Sequence, residues 1–77
     1  MEFIDSRQIE ELETDYTTTH KYFEYDDEEN VYQIAIHVHY YDSPNDKECG
    51  ITGEKTLKIK YYKNETSAWK YFYSDKI

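Results

Sequence analysis

The run Val31-Tyr32-Gln33-Ile34-Ala35-Ile36-His37-Val38-His39-Tyr40-Tyr41 decides how this chain is read. Tyr32, Ile34, Ile36, Val38 and Tyr40 share one parity, and Gln33, His37 and His39 share the other. Side chains of a strand alternate faces with period 2, so the pattern describes a strand with one dry and one wetter face. Its β-branched and aromatic content agrees, and no Gly or Pro interrupts it. It is expected to be the central strand of an antiparallel sheet. Its dry parity should meet Ile9, Leu12, Leu57 and Ile59, with His37, His39 and Tyr41 facing outward.

Working back from this strand, Asp26-Asp27-Glu28-Glu29-Asn30 gives four consecutive acids and an Asn, a length that suits a tight antiparallel hairpin. Before it, Tyr16 to Tyr25 is rich in threonine and aromatics, a strand composition whose two parities compete, so its buried face stays open. At the start, Asp5 can cap a helix, Gln8 stands at the third helical position, and Ile4 with Ile9 forms a staple pair. The pattern predicts a short helix over residues 6–14, packed through Ile9 and Leu12.

Working forward, residues 42–53 contain the proline and both glycines and mark a loop. Glu54 to Lys63 resumes a period of 2, with Leu57, Ile59 and Tyr61 on one face. Asn64-Glu65-Thr66 reads as a turn rather than a glycosylation site, and Ala68 to Tyr73 as a last aromatic strand carrying Trp69, Tyr71 and Tyr73. The expected fold is α+β: a short N-terminal helix on an antiparallel sheet of about four strands in meander order, as a single domain over residues 1–77.

Seventy-seven residues make a small domain, one that buries only roughly 60–65 % of its unfolded surface. Ten tyrosines, three phenylalanines and Trp69 supply much of its apolar volume. Such rings serve a core while leaving a hydroxyl in water, and they are also enriched at interfaces. The formal charge of −8 is uneven: −9 over residues 1–29, −2 over 30–53 and +3 over 54–77. That balance disfavours direct contact with a nucleic-acid phosphate backbone and favours a basic protein surface. The lysines of the last third, Lys55, Lys58, Lys60, Lys63 and Lys70, are expected to pair with acids of the first half or with another copy. A single cysteine excludes an intramolecular disulfide, and the lack of a signal peptide or long apolar span points to a cytoplasmic protein without a membrane partner.

Catalytic signatures are absent from the pattern. His37-x-His39, with His20 and Cys49, has the residue types of a zinc site but lacks the paired spacing that makes one specific, so no metal or other cofactor is expected. Cys49 has no base or anion hole in the sequence around it. The acids of residues 24–29 lack the ligand order and glycine of a calcium loop. The expectation is therefore a binding protein rather than an enzyme. Carboxylates on strands and turns can stand in for phosphates in a basic channel, with tyrosines as anchors. The candidates are Asp15, Glu24, Asp26, Asp27, Glu28, Glu29, Asp42 and Asp46 for charge, and Tyr22, Tyr25, Tyr40 and Tyr41 for anchoring.

In size, acidity and aromatic content the chain resembles small phage-encoded host-takeover proteins. These include DNA-mimic anti-restriction and anti-CRISPR proteins, uracil-DNA glycosylase inhibitors and sliding-clamp inhibitors. The resemblance is one of composition over the whole chain and carries no family residues with it. It implies occlusion of a DNA-binding site on a basic, DNA-handling protein of a bacterial host, such as a replication clamp or nuclease, in the host cytoplasm. The alternative is a small structural or regulatory interaction module unrelated to DNA, with its tyrosines binding a partner strand or forming a homodimer.

Ile36 carries the test of the central strand. Ile36→Asp would bury an unpaired charge, and loss of the cooperative unfolding transition in circular dichroism is the expected outcome. A variant that still folds would mean the dry parity is the other one.

Overall fold

Four strands pair in chain order in the computed structural model, which describes residues 1–45, 50 and 52–77. They are β1 (Glu2–Gln8), β2 (Thr17–Asp26), β3 (Val31–Tyr40) and β4 (Gly53–Tyr62), all antiparallel. One helix, α1 (Glu65–Tyr73), follows the sheet, and a single 3-10 turn (Glu10–Leu12) links β1 to β2. The α+β class, the four-stranded meander and the central place of residues 31–40 are as the sequence indicates. The loop expected over residues 42–53 falls partly outside the described residues, and Gly53 already begins β4.

The two ends of the chain exchange their expected roles. Residues 2–8 form an edge strand where a helix over 6–14 was expected, and residues 65–73 form a helix where a strand was expected. A nine-residue amphipathic segment is marginal as an isolated helix, so tertiary partners decide its state. The β1 segment finds its backbone partners on β2, from Glu2 opposite Tyr25 to Gln8 opposite His20, and Ile9 N–H extends the ladder to Thr19 O at 2.8 Å. A bulge between Phe3 and Asp5 lets the short strand bend along β2. At the other end Asn64 caps α1, its Oδ1 accepting from Ser67 N at 3.0 Å. Ala68, Tyr71 and Phe72 then fall three and four apart on one buried stripe, which is a helical period and not a strand period.

Residues directly opposite in an antiparallel pair share a face, so the register assigns both faces of the sheet. Phe23, Ile34 and Ile36 lie under the helix and pack with Ala68, Tyr71 and Phe72, with Ile4, Tyr32, Tyr62 and Trp69 around them. The aromatic contacts are close: Phe23 meets Trp69 edge-on at 4.6 Å and Phe72 at 5.5 Å between centroids. On β4 the face assignment is opposite to the expectation. Lys60 pairs with Ile34 and Lys58 with Ile36, so the lysines share the helix face while Ile59 and Tyr61 point the other way. Ile59 is 43 % exposed, Tyr61 61 % and Leu57 45 %, and Leu12 lies at the surface too. Of the four apolar partners expected for the central strand, Ile9 alone is fully buried. Nor do the β4 lysines face acids across the sheet: Lys55, Lys58 and Lys60 stand opposite Val38, Ile36 and Ile34.

A buried lysine fixes the helix to this sheet. Lys21 is fully enclosed, and its Nζ donates to Tyr71 O and to Ser74 O, each at 2.6 Å, while lying 3.9 Å from the centre of the Tyr71 ring. Arg7 on β1 adds donors to Phe72 O at 3.2 Å and Ser74 O at 3.0 Å, and an ion pair with Asp75 at 2.9 Å. The last carbonyls of a helix have no intrahelical donor and carry partial negative charge, so two cations there satisfy both needs. Burial pushes the Lys21 amine down to about 8, with Arg7 and Lys60 adding to the shift and Asp75 opposing it.

That depression sets a pH dependence. Below pH 8 both folded and unfolded Lys21 hold the proton, and between about 8 and 10.5 the unfolded chain binds more protons than the folded one. Stability should therefore rise with pH over that window, by about 1–2 kcal/mol between pH 8 and 9.5. It should fall again above about pH 10, where burial holds the Tyr22 and Tyr71 hydroxyls protonated in the folded state alone. Urea titrations across pH 7–10.5 measure this. The variant Lys21→Met should lose the rise and be less stable at pH 7 by roughly 2 kcal/mol, through loss of its two charge-assisted hydrogen bonds to Tyr71 O and Ser74 O.

Candidate functional site

The hairpin end of the sheet gathers carboxylates from three separate segments. Asp26 pairs with Val31 to close the loop, and its Oδ1 accepts from Glu28 N at 3.0 Å and Glu29 N at 3.3 Å. This folds Asp27, Glu28 and Glu29 outward as exposed side chains. Asn30 takes the left-handed conformation (φ 55°) that ends the turn, which asparagine tolerates, and its Oδ1 accepts from the Tyr25 hydroxyl at 3.0 Å. Glu2 pairs opposite Tyr25 from the first strand, and Glu65 arrives with the first turn of α1, beside the end of β4. Glu2, Ile4, Tyr25, Tyr32 and Glu65 line a shallow cleft. Its two rings stand 4.9 Å apart at 46°. Burial and the neighbouring Glu65 and Tyr25 hold the Tyr32 hydroxyl above its ordinary pKa, so it stays protonated and bonds to Glu65.

Of the candidate residues named from sequence, this end unites Glu24, Tyr25, Asp26, Asp27, Glu28 and Glu29. Asp15, Tyr40, Tyr41 and Asp42 lie at the opposite end of the same strands, since Thr17 pairs with Tyr40. Ten strand residues separate the two groups, about 30 Å of sheet. Tyr22 sits between them on the face away from the helix, and Asp46 lies outside the described residues. Tyr41 is engaged internally, its hydroxyl 3.1 Å from Thr18 Oγ1. Glu2 and Glu65 were missed from sequence because each is remote from the acid run and is brought to it only by β1 pairing and by the helix start.

A second constellation occupies the far half of the face turned away from α1. His20 pairs opposite His37, stacks on His39 at 4.7 Å, and has Nε2 3.1 Å from Thr18 Oγ1. His37 Nδ1 lies 2.9 Å from Glu54 Oε1 and 3.1 Å from Thr56 Oγ1. His39 Nε2 lies 3.4 Å from the Tyr22 hydroxyl and 3.9 Å from Glu54. The neighbourhood of His20 to the His37-x-His39 pair was foreseen. Cys49 lies outside the described residues, and among those described no three His, Cys, Asp or Glu side chains converge to hold a metal ion. His20 Nε2, His37 Nδ1 and His39 Nε2 are each engaged by a hydroxyl or a carboxylate, a network that positions the rings. Burial first, then the charges of His39 and His37, hold His20 below its ordinary value.

No protein-family model, curated protein or solved structure matches the chain. Among the described residues no helix is long and apolar enough to cross a membrane.

The histidine cluster predicts acid sensitivity. As pH falls below 6.5 the unfolded chain protonates at position 20 and the folded chain resists, so stability drops. Unfolding midpoints at pH 7 and pH 5 should show the loss, and His20→Gln should reduce it.

Proposed function

We propose that the chain is a non-enzymatic inhibitor that binds a basic, DNA-handling protein of a bacterial host and occludes its DNA-binding site. The observation that supports this reading is the convergence of Glu2, Asp26, Asp27, Glu28, Glu29 and Glu65 around Tyr25 and Tyr32 at one end of an elongated sheet. A carboxylate-rich end of this kind takes the place of backbone phosphates in a basic channel, and its field steers association. The cleft supplies the anchor: a lysine or arginine of the partner seats between Glu2 and Glu65 with its cation against the two tyrosine rings. The compositional resemblance to phage-encoded DNA mimics supports the same reading, in which the protein acts in the host cytoplasm. The contact uses side chains already present, so it requires no cofactor and no reaction. Glu24, on the opposite face near the same end, extends the negative field.

Capture of partners from bacterial lysate by immobilised protein, with and without competing duplex DNA, tests the reading. DNA-handling proteins should be retained and should be displaced by DNA; recovery only of proteins without a nucleic-acid role would overturn it. Replacing Asp26, Asp27, Glu28 and Glu29 by their amides should weaken binding roughly tenfold or more at low salt and flatten its salt dependence. Unchanged affinity would place the contact at the Asp15 and Asp42 end.

A further inference from the structure

We infer that the sheet face turned away from α1 is a homodimer interface, on which two copies stack about a two-fold axis. This goes beyond the acidic end and does not depend on it. The register places five rows of residues on that face: Asp26 and Val31; then Phe3, Glu24, Gln33 and Tyr61; then Ser6, Tyr22, Ala35 and Ile59; then Gln8, His20, His37 and Thr56; then Thr18, His39 and Glu54. Phe3, 60 % exposed, stands at the β1 edge of this face, and Tyr61 and Ile59, 61 % and 43 % exposed, stand at its β4 edge, so apolar side chains flank it on both sides with no cover from α1.

Charge identifies the occupant. The chain carries −8, so two copies repel one another wherever acids crowd. Among the described strand residues this face holds Glu24, Asp26 and Glu54 as formal charges; Asp26 accepts from Glu28 N and Glu29 N of its own turn, and Glu54 is already paired with His37 at 2.9 Å. It is the broad surface on which a second copy meets little repulsion. A two-fold axis running across the strands above the Tyr22–Ala35–Ile59 row exchanges the rows on either side of it. Glu24 of each copy then lies over His20 and His37 of the other, which answers the remaining carboxylate with imidazole donors. Ile59 meets Ile59, and Tyr61 reaches the Thr56 row, a self-complementary arrangement of the isologous kind.

Size and geometry agree. Stacked sheets pack about 10 Å apart with strands nearly aligned. The molecule measures 40 × 23 × 17 Å, and its broad face can supply the roughly 800 Å² per partner of a standard interface. The alternative of edge pairing through β4 is opposed by Lys55, Lys58 and Lys60 along that strand, a common guard against strand addition. The stacked dimer directs its two acidic hairpins to opposite ends and leaves both clefts open, because they lie on the helix face.

Sedimentation equilibrium of the full chain at pH 7, from about 5 µM to about 1 mM, tests the interface. Reversible doubling of mass with a dissociation constant on the order of 10 µM is expected. The variant Ile59→Lys should remain monomeric while keeping its near-ultraviolet circular dichroism, whereas Lys58→Ala, on the other face of the same strand, should dimerise unchanged. Glu24→Lys should weaken the dimer at least tenfold, and adding His20→Glu should restore it. A monomer at every concentration overturns the inference. So does a dimer indifferent to Ile59→Lys, or one whose dissociation constant moves less than twofold in Glu24→Lys.

Discussion

The structure depends on a cation buried at the end of a helix. Nine residues of α1 cannot hold helical form alone in water, and the sheet they cover has few aliphatic residues to offer. Lys21 supplies what both lack. Its stem crosses the helix face between Thr19 and Phe23, and its ammonium reaches the carbonyls of Tyr71 and Ser74 at the C-terminal end of the helix, where partial negative charge gathers. Burying that charge is expensive, as its lowered pKa records, and the cost is met by two short hydrogen bonds to carbonyl oxygens, a third, longer contact to Ser74 Oγ and the face of the Tyr71 ring. Lys60 lies 4.4 Å from the same ring, so β2 and β4 grip one aromatic side chain of the helix from two positions. The Tyr71 hydroxyl is buried without a partner among the described residues, which indicates that the ring is kept for its π face and volume.

This arrangement explains how much of the fold could be read from sequence. β3 and β4 announce themselves by period 2 and β2 by its threonine and aromatic composition, and the four-acid turn between β2 and β3 is short enough to suit a hairpin. The chain ends mislead because each imitates the other's signal. Asp5, Gln8, Ile4 and Ile9 imitate a capping box and staple, while Trp69, Tyr71 and Tyr73 imitate a strand parity. The discriminating signals were present but weaker: Asn64 three residues before Ser67, and the 68, 71, 72 spacing of Ala68, Tyr71 and Phe72. The face of β4 was not legible from β4 at all. Lys58 and Lys60 look solvent-facing by composition, yet the pairing of Tyr62 with Tyr32 turns them toward the helix. Long stems let them line that face while their charges reach its rim or a ring.

The candidate site divides along the same lines. The acid run and Tyr25 were visible as a local cluster. Glu2 and Glu65 join it only because β1 pairs with β2 and because α1 begins where β4 ends, relations of tertiary structure that no local pattern records. Tyr32 was assigned to the dry core, and it does contact Phe23 at 5.9 Å, but its other side borders the cleft with Tyr25. One ring thus couples the core to the acidic end and holds the shape of the cleft beside Tyr25.

The two faces of the sheet end up with different chemistry, and that difference follows from covering only one of them. On the helix side, apolar rings and two buried or stacked cations answer carbonyls and aromatic faces. On the open side, the polar positions of β2 and β3 cannot be left as bare strand backbone beside water, and they organise into hydroxyl, imidazole and carboxylate pairs around His37 and His39. This network engages one ring nitrogen of each histidine, and Phe3 at the β1 edge and Ile59 and Tyr61 at the β4 edge stay exposed beside it. A face whose Glu24 row and His20–His37 row lie on either side of the Tyr22–Ala35–Ile59 row sets carboxylate against imidazole when reversed on itself, which is the complementarity that the inferred two-fold contact requires.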